Sequence, residues 1–208
     1  MTEAIELGLP AQAFDRQDDG DDLGFYASPR LVTHIDEAAV DALTSLYREA
    51  IPAGGRVIDL MSSWVSHLPD DVAYGEVVGH GMNAGELAAN PRLDRWFVQN
   101  LNDVSDLSEE DARYDAVLIC VGVQYLQHPL AVLREVRRVL KPGGRVIISF
   151  SNRCFPTKAV AVWRALDTQG HASLVRLYLE TAGFRDATAS LLADGRLGDP
   201  LVAITGRS

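Results

Sequence analysis

Apolar positions along this chain follow two rhythms, and the two alternate. Over residues 33–51, Ile35, Ala39, Val40, Leu43, Leu46, Tyr47 and Ala50 recur at helical spacing on one face. Thr33 with Asp36 three residues on resembles a capping box, and Pro52 with Gly54-Gly55 ends the segment. Short runs of a different kind follow at 56–60, 76–79, 96–99, 115–121 and 144–150, nearly all apolar from end to end. A strand with one wet face alternates; an unbroken apolar run fits a parallel sheet covered by helices on both sides. Helical patterns fill the gaps. Asn83 and Glu86 can cap one that Pro91 limits, and Pro129 opens another at 129–140 that Lys141-Pro142-Gly143-Gly144 stops. Two more lie near 158–167 and 172–182, before strand-like runs at 188–192 and 201–205 around a turn at Asp194-Gly195. The alternation predicts an α/β, doubly wound, Rossmann-like sheet with helices on both faces.

Residues 1–24 lack either rhythm. With Asp18-Asp19-Gly20-Asp21-Asp22 at their centre they read as an acidic flexible arm before a single domain at 25–208. A length of 208 residues, 47% of them hydrophobic, suits that division. The net charge of −10, with no basic cluster longer than Arg137-Arg138, excludes the footprint that nucleic acid or an anionic membrane surface requires. It leaves room for a small acidic metabolite held by one arginine. Cys120 and Cys154 form no disulfide framework, and the histidines at 34, 67, 80, 128 and 171 lack metal-ligand spacing, so no metal is expected. An acidic N-terminus and the lack of an apolar run near 20 residues point to the cytoplasm.

Two segments carry a resemblance. Arg113-Tyr114-Asp115-Ala116-Val117, followed by Leu133-Arg134-Glu135-Val136-Arg137-Arg138-Val139-Leu140-Lys141-Pro142-Gly143-Gly144, resembles the class I S-adenosylmethionine-dependent methyltransferases, in the branch of quinone-biosynthesis C-methyltransferases. The resemblance implies a seven-stranded sheet, mostly parallel with an antiparallel last strand, and S-adenosylmethionine as cofactor. It places the cofactor at the strand ends. Asp59 matches the acid that closes the first strand. Met61, Ser62 and Ser63 stand where the family has a glycine-rich turn, with serine hydroxyls as substitute donors. In the family pattern G-x-D/E after the second strand, Gly79 is kept but Gly81 replaces the acid, with Met82, Asn83 and Glu86 just beyond. Asn100 or Asn102 would meet adenine, on which Leu101 packs, and Val121 would flank the sulfonium beside Gln124. Asp59-Leu60-Met61-Ser62-Ser63-Trp64-Val65-Ser66-His67 also resembles an uncharacterised subgroup of methyltransferase-like proteins.

Open α/β sheets bind ligands at the carboxyl ends of their strands. There Tyr26 or Arg30 can take the methionine carboxylate, although Arg30 equally suits a solvated charge ahead of a helix. His67, then His34, are the candidate bases, although for each the pattern favours a hydrogen-bonded structural histidine. Trp64, Gln124, Asn152 and Arg153 are candidates for the acceptor, with Arg153 as anchor for an anionic group. The functional expectation is a transferase methylating a small-molecule acceptor. The alternative is a catalytically silent methyltransferase-fold binding or scaffold protein, which the Met61 and Gly81 departures favour. A dehydrogenase is disfavoured because no G-x-G-x-x-G follows the first strand.

Overall fold

The computed structural model describes residues 2–196 and 198–208. Its centre is a seven-stranded sheet in the order β3-β2-β1-β4-β5-β7-β6, formed by β1 (Arg56–Leu60), β2 (Glu76–Gly81), β3 (Arg95–Val98), β4 (Tyr114–Cys120), β5 (Leu140–Phe150), β6 (Arg185–Ala193) and β7 (Leu201–Arg207). Pairings among β1 to β5 are parallel, and β7 runs antiparallel to both β5 and β6. Every predicted strand is present, and the topology is the expected one. Strand order reverses between β1 and β4, which opens a crevice at their carboxyl ends.

Side chains leave the sheet to two cores. Val57, Ala116, Leu118 and Ile147 meet Ile35, Ala39, Leu43 and Tyr47 of the segment ending in α3 (Glu37–Ala50). Ile58, Leu60, Val117, Ile119 and Ile148 meet α5 (Pro129–Val139) and α7 (Thr168–Thr181). Asp36, rather than Thr33, caps α3: its side chain accepts from the amide of Ala39. Asn83 caps α4 (Ala84–Ala89) as expected, accepting from Glu86 N. Gly143 takes the anticipated left-handed φ of +78°, although β5 already begins at Leu140 and the turn becomes an irregularity within it.

Two expectations fail. The first is the loose arm. Residues 2–25 carry α1 (Glu3–Glu6) and α2 (Asp22–Phe25), and Ala4, Leu7, Ala13 and Phe14 are buried in the larger core. The carboxylate of Glu3 accepts from the amides of Leu130 and Ala131, two unsatisfied donors at the start of α5. Its acidity therefore serves contacts within the fold. The second is the helix at 158–167, which shrinks to α6 (Ala161–Arg164). The amide of Val160 bonds to Gln124 O, and those of Ala161 and Val162 bond to Asp15 O and Ala13 O, so this stretch pairs with the arm. No helix among the described residues is long and apolar enough to cross a membrane.

Candidate functional site

A cleft of about 540 Å³ opens where the strand order reverses. Its floor is the turns after β1, β2, β3 and β4, represented by Met61, Gly81, Leu101 and Val121. Its roof is the N-terminal strap, from Arg16 through Tyr26 and Arg30 to His34. Polar ties hold the strap. Asn83 Nδ2 donates to the carbonyls of Tyr26 and Ala27; Glu86 accepts from Arg30 N at 2.7 Å; and Lys158 Nζ reaches Asp22 at 2.9 Å, Gly20 O at 2.9 Å and Asp18 at 3.2 Å. Phe25, Tyr26 and Phe155 surround the guanidinium of Arg30, whose central carbon lies 4.9, 5.6 and 5.4 Å from the three ring centres. Nη2 donates to Phe25 O, while buried Nη1 has no hydrogen-bond partner among the described residues.

The turn after β1 does without glycine. Met61 takes φ of +57° and Val121 φ of +45°, conformations that cost an ordinary side chain on the order of 1 kcal/mol. Ser62 donates to Asp59 at 2.6 Å and Ser63 to Glu86 at 2.7 Å. Gly81 must stay bare because a Cβ there would lie 2.5 Å from Ser62 O. Gly79 is bare for a different reason: a Cβ would strike Leu93 at 2.2 Å, outside the cleft.

Several candidates stand apart from the place expected of them. Asp59 is buried under the β1 turn, lining a smaller adjoining pocket of about 40 Å³ with His34, Ser66 and His67. Burial lifts its carboxyl to about 7, against the pull of Ser62 and Ser66. A carboxyl with a raised folded pKa favours its neutral form, so its contribution to stability is full at low pH. That contribution falls as pH rises from about 3.8 through 7. Asp59→Asn should flatten this part of the stability profile, as measured by urea unfolding at steps of pH, while keeping an acceptor for Ser62.

Asn100 and Asn102 sit on the cleft wall, but their side chains are spent on the loop. Asn100 donates to Asp103 and accepts from the Asn102 amide; Asn102 donates to Tyr125 O and accepts from Gln127 N. Asn83 is spent likewise on α4 and the strap. Gln124 is buried behind Val121, donating to its carbonyl. Trp64 lines neither pocket; its indole N–H bonds to Val32 O. Arg153 stands at the rim, 65% exposed and paired with Asp199 at 2.8 Å, so its charge is already met. Asn152 is exposed at the same rim.

His34 lines both pockets, and burial lowers its pKa. His67 has φ of +53°, a buried Nδ1 without a partner among the described residues, and a pKa lowered to about 4, by burial first and His34 second. Both imidazoles are therefore neutral near pH 7.

Sequence reasoning passed over Arg16, Asp22, Lys158 and His80, all of which line the cleft together with Tyr125 and Phe155. The first two sit in an arm read as loose, and Lys158 opens a segment read only as a helix. His80 carried a signal, since a histidine between two glycines at the end of a buried strand has backbone on every side.

A family profile described as "Methyltransferase domain" matches residues 63–148. The demethylmenaquinone methyltransferase of Streptomyces avermitilis is 33% identical over 94 residues, covering 45% of this chain and 41% of that protein. The chain thus spans less than half the length of that relative. Among solved structures, a SAM-dependent methyltransferase from Aquifex aeolicus superposes with a TM-score of 0.61 at 16% identity, covering 82% of this chain and 90% of that one. The [4+2]-cyclase SpnF superposes with a TM-score of 0.62 at 16% identity, covering 99% and 91%. At such identities the structural likeness establishes the fold. Together with the sheet order, it gives the chain the fold of the S-adenosylmethionine-dependent methyltransferases, with a segment similar to a methyltransferase domain at residues 63–148.

Proposed function

We propose that the protein binds S-adenosylmethionine in the cleft above β1, β2 and β4 and methylates a small-molecule acceptor. The observation that carries this reading is the buried, unpartnered Nη1 of Arg30 beside a cleft of about 540 Å³, a volume suited to a nucleoside-sized ligand. A buried donor without an acceptor is rare in a native fold, and a ligand carboxylate would supply one. Glu86 offers what Gly81 lacks. Each of its oxygens accepts one protein hydrogen bond, from Arg30 N or Ser63, and each keeps a lone pair for a ribose hydroxyl. Leu101 offers an apolar face for a base.

When bound, S-adenosylmethionine supplies an electrophilic methyl group on a sulfonium. The protein's part is alignment and exclusion of water. The rings of Phe25, Tyr26, Tyr125 and Phe155 favour a planar, largely apolar acceptor, in keeping with the quinone named for the Streptomyces relative. His34 and His67 suit holding an acceptor hydroxyl in line more than storing its proton, since burial lowers both pKa values, that of His67 to about 4, which makes it a weak base at pH 7.

Gly81 without its acid favours the silent scaffold as a second reading. Calorimetric titration with S-adenosylmethionine, S-adenosylhomocysteine and NAD separates the two. Binding of both sulfur ligands at micromolar Kd, and none of NAD, is expected. Absence of binding by either would hand the site to the scaffold reading.

A further inference from the structure

The turn after β1 departs from its family at each glycine, yet its backbone still follows the left-handed path that glycine normally allows. Something has to hold it. Three successive residues of the turn are tied by side chains from three other places: Met61 by His80, Ser62 by Asp59, and Ser63 by Glu86. The last two ties lie between side chains. The first acts on the backbone itself, at the residue whose φ is +57°.

We infer that His80 is a positioning residue for the cofactor site, its imidazole doing for the β1 turn what glycine does elsewhere in the family. This rests on the cofactor reading above. His80 is 1% exposed. Its Nδ1 accepts the Met61 amide at 3.1 Å, its Nε2 contacts Gln99 O at 2.9 Å, and its own carbonyl accepts from Ser62 N at 2.6 Å. The two ring contacts fix the tautomer: Nδ1 is the acceptor, so Nε2 carries the hydrogen and donates to Gln99 O. Phe97 on β3 packs against the ring, centre to centre at 5.1 Å. One side chain thus joins the ends of β1, β2 and β3, three of the four turns that form the cleft floor.

The physical need is specific. A non-glycine residue in the left-handed region is strained, and here its amide points into a buried turn where an unsatisfied donor is costly. The imidazole satisfies that donor. It also leaves the Met61 side chain directed to the cleft, where it lines the wall beside Val121. Glycine at 61 would relax the strain by itself and make the imidazole contact less necessary.

The test is a double-mutant cycle of His80→Ala, Met61→Gly and the pair, followed in parallel by calorimetry with S-adenosylhomocysteine and by urea unfolding. His80→Ala is expected to weaken binding by roughly tenfold, the loss of one buried hydrogen bond. Met61→Gly in that background is expected to restore most of the affinity and part of the stability. A folded His80→Ala protein with unchanged affinity would overturn the inference, as would a pair no better than His80→Ala alone. If wild-type protein binds no S-adenosylhomocysteine, the function proposed above fails instead, and the stability arm of the cycle still decides between coupled and independent positions. Should His80→Ala not fold, nitrogen-detected NMR of the wild-type imidazole reads the same claim: Nδ1 bare and Nε2 protonated support it, and the reverse tautomer sinks it.

Discussion

Lys158→Met is expected to lower the unfolding free energy by about 3 kcal/mol, the low end of the cost of breaking a buried ion pair. The ammonium is 1% exposed and touches Asp22, Asp18 and Gly20 O, with the face of Phe25 at 5.1 Å. Methionine keeps the stem and removes the charge. Asp22 keeps Arg16, at 2.7 and 2.9 Å, which is why the low end applies. The loss should carry a pH signature. Burial pushes the Asp22 carboxyl up, but hydrogen bonds from Arg16 and Lys158 outweigh it and hold the carboxyl below its ordinary value. A depressed carboxylate adds stability above its unfolded pKa, and that stability is lost as pH falls through the folded one. The variant should therefore begin acid unfolding at a higher pH than wild type. Urea unfolding at pH 7 and acid titration by circular dichroism measure both effects, and limited proteolysis should find residues 15–21 newly cleavable. Unchanged stability would mean that the strap rests on its apolar contacts alone.

Arg30→Ala is expected to weaken S-adenosylhomocysteine binding by roughly 10- to 100-fold, the range for one charge-assisted hydrogen bond of about 1.5–3 kcal/mol. The control is 5′-methylthioadenosine, which shares the nucleoside and lacks the carboxylate. Its affinity should be nearly the same for wild type and variant. The contrast distinguishes an anion anchor from a strap that has merely loosened, because loosening would weaken both ligands alike. Arg30→Lys should recover little. The guanidinium is positioned by three aromatic faces and by Phe25 O, and an ammonium cannot lie flat among them and still donate in the same direction.

The strands and their order of burial were readable from local pattern. Val117-Leu118-Ile119 and Val146-Ile147-Ile148 admit no wet face, and Pro142-Gly143-Gly144 admits no continuing helix. The cap of α3 was misplaced by three residues because Thr33 and Asp36 are both good capping types, and the choice fell to Asp36, which also accepts from the amides of Asp199 and Ala39. The site was legible where the backbone path decides it: Met61, Gly81, Leu101 and Val121 all line the cleft. It was illegible where a polar side chain had several possible partners. Asn83, Asn100 and Asn102 were read as ligand-facing, and each is tied within the protein instead: Asn83 and Asn102 donate to carbonyls, and Asn100 donates to the Asp103 carboxylate.

By itself, then, the sequence determined a doubly wound sheet and the place of its crevice. Those follow from periodicity and turn chemistry, which act over a few residues and need no knowledge of the rest. Only the tertiary structure decided that the acidic arm is a roof, that Lys158 and Arg16 neutralise it, and that His80 holds the β1 turn. Lys158 and Gly20 are 138 positions apart, and nothing local to either encodes the other. A charge seeks whichever opposite charge the fold brings near once water is removed, and that choice exists only after the chain has closed.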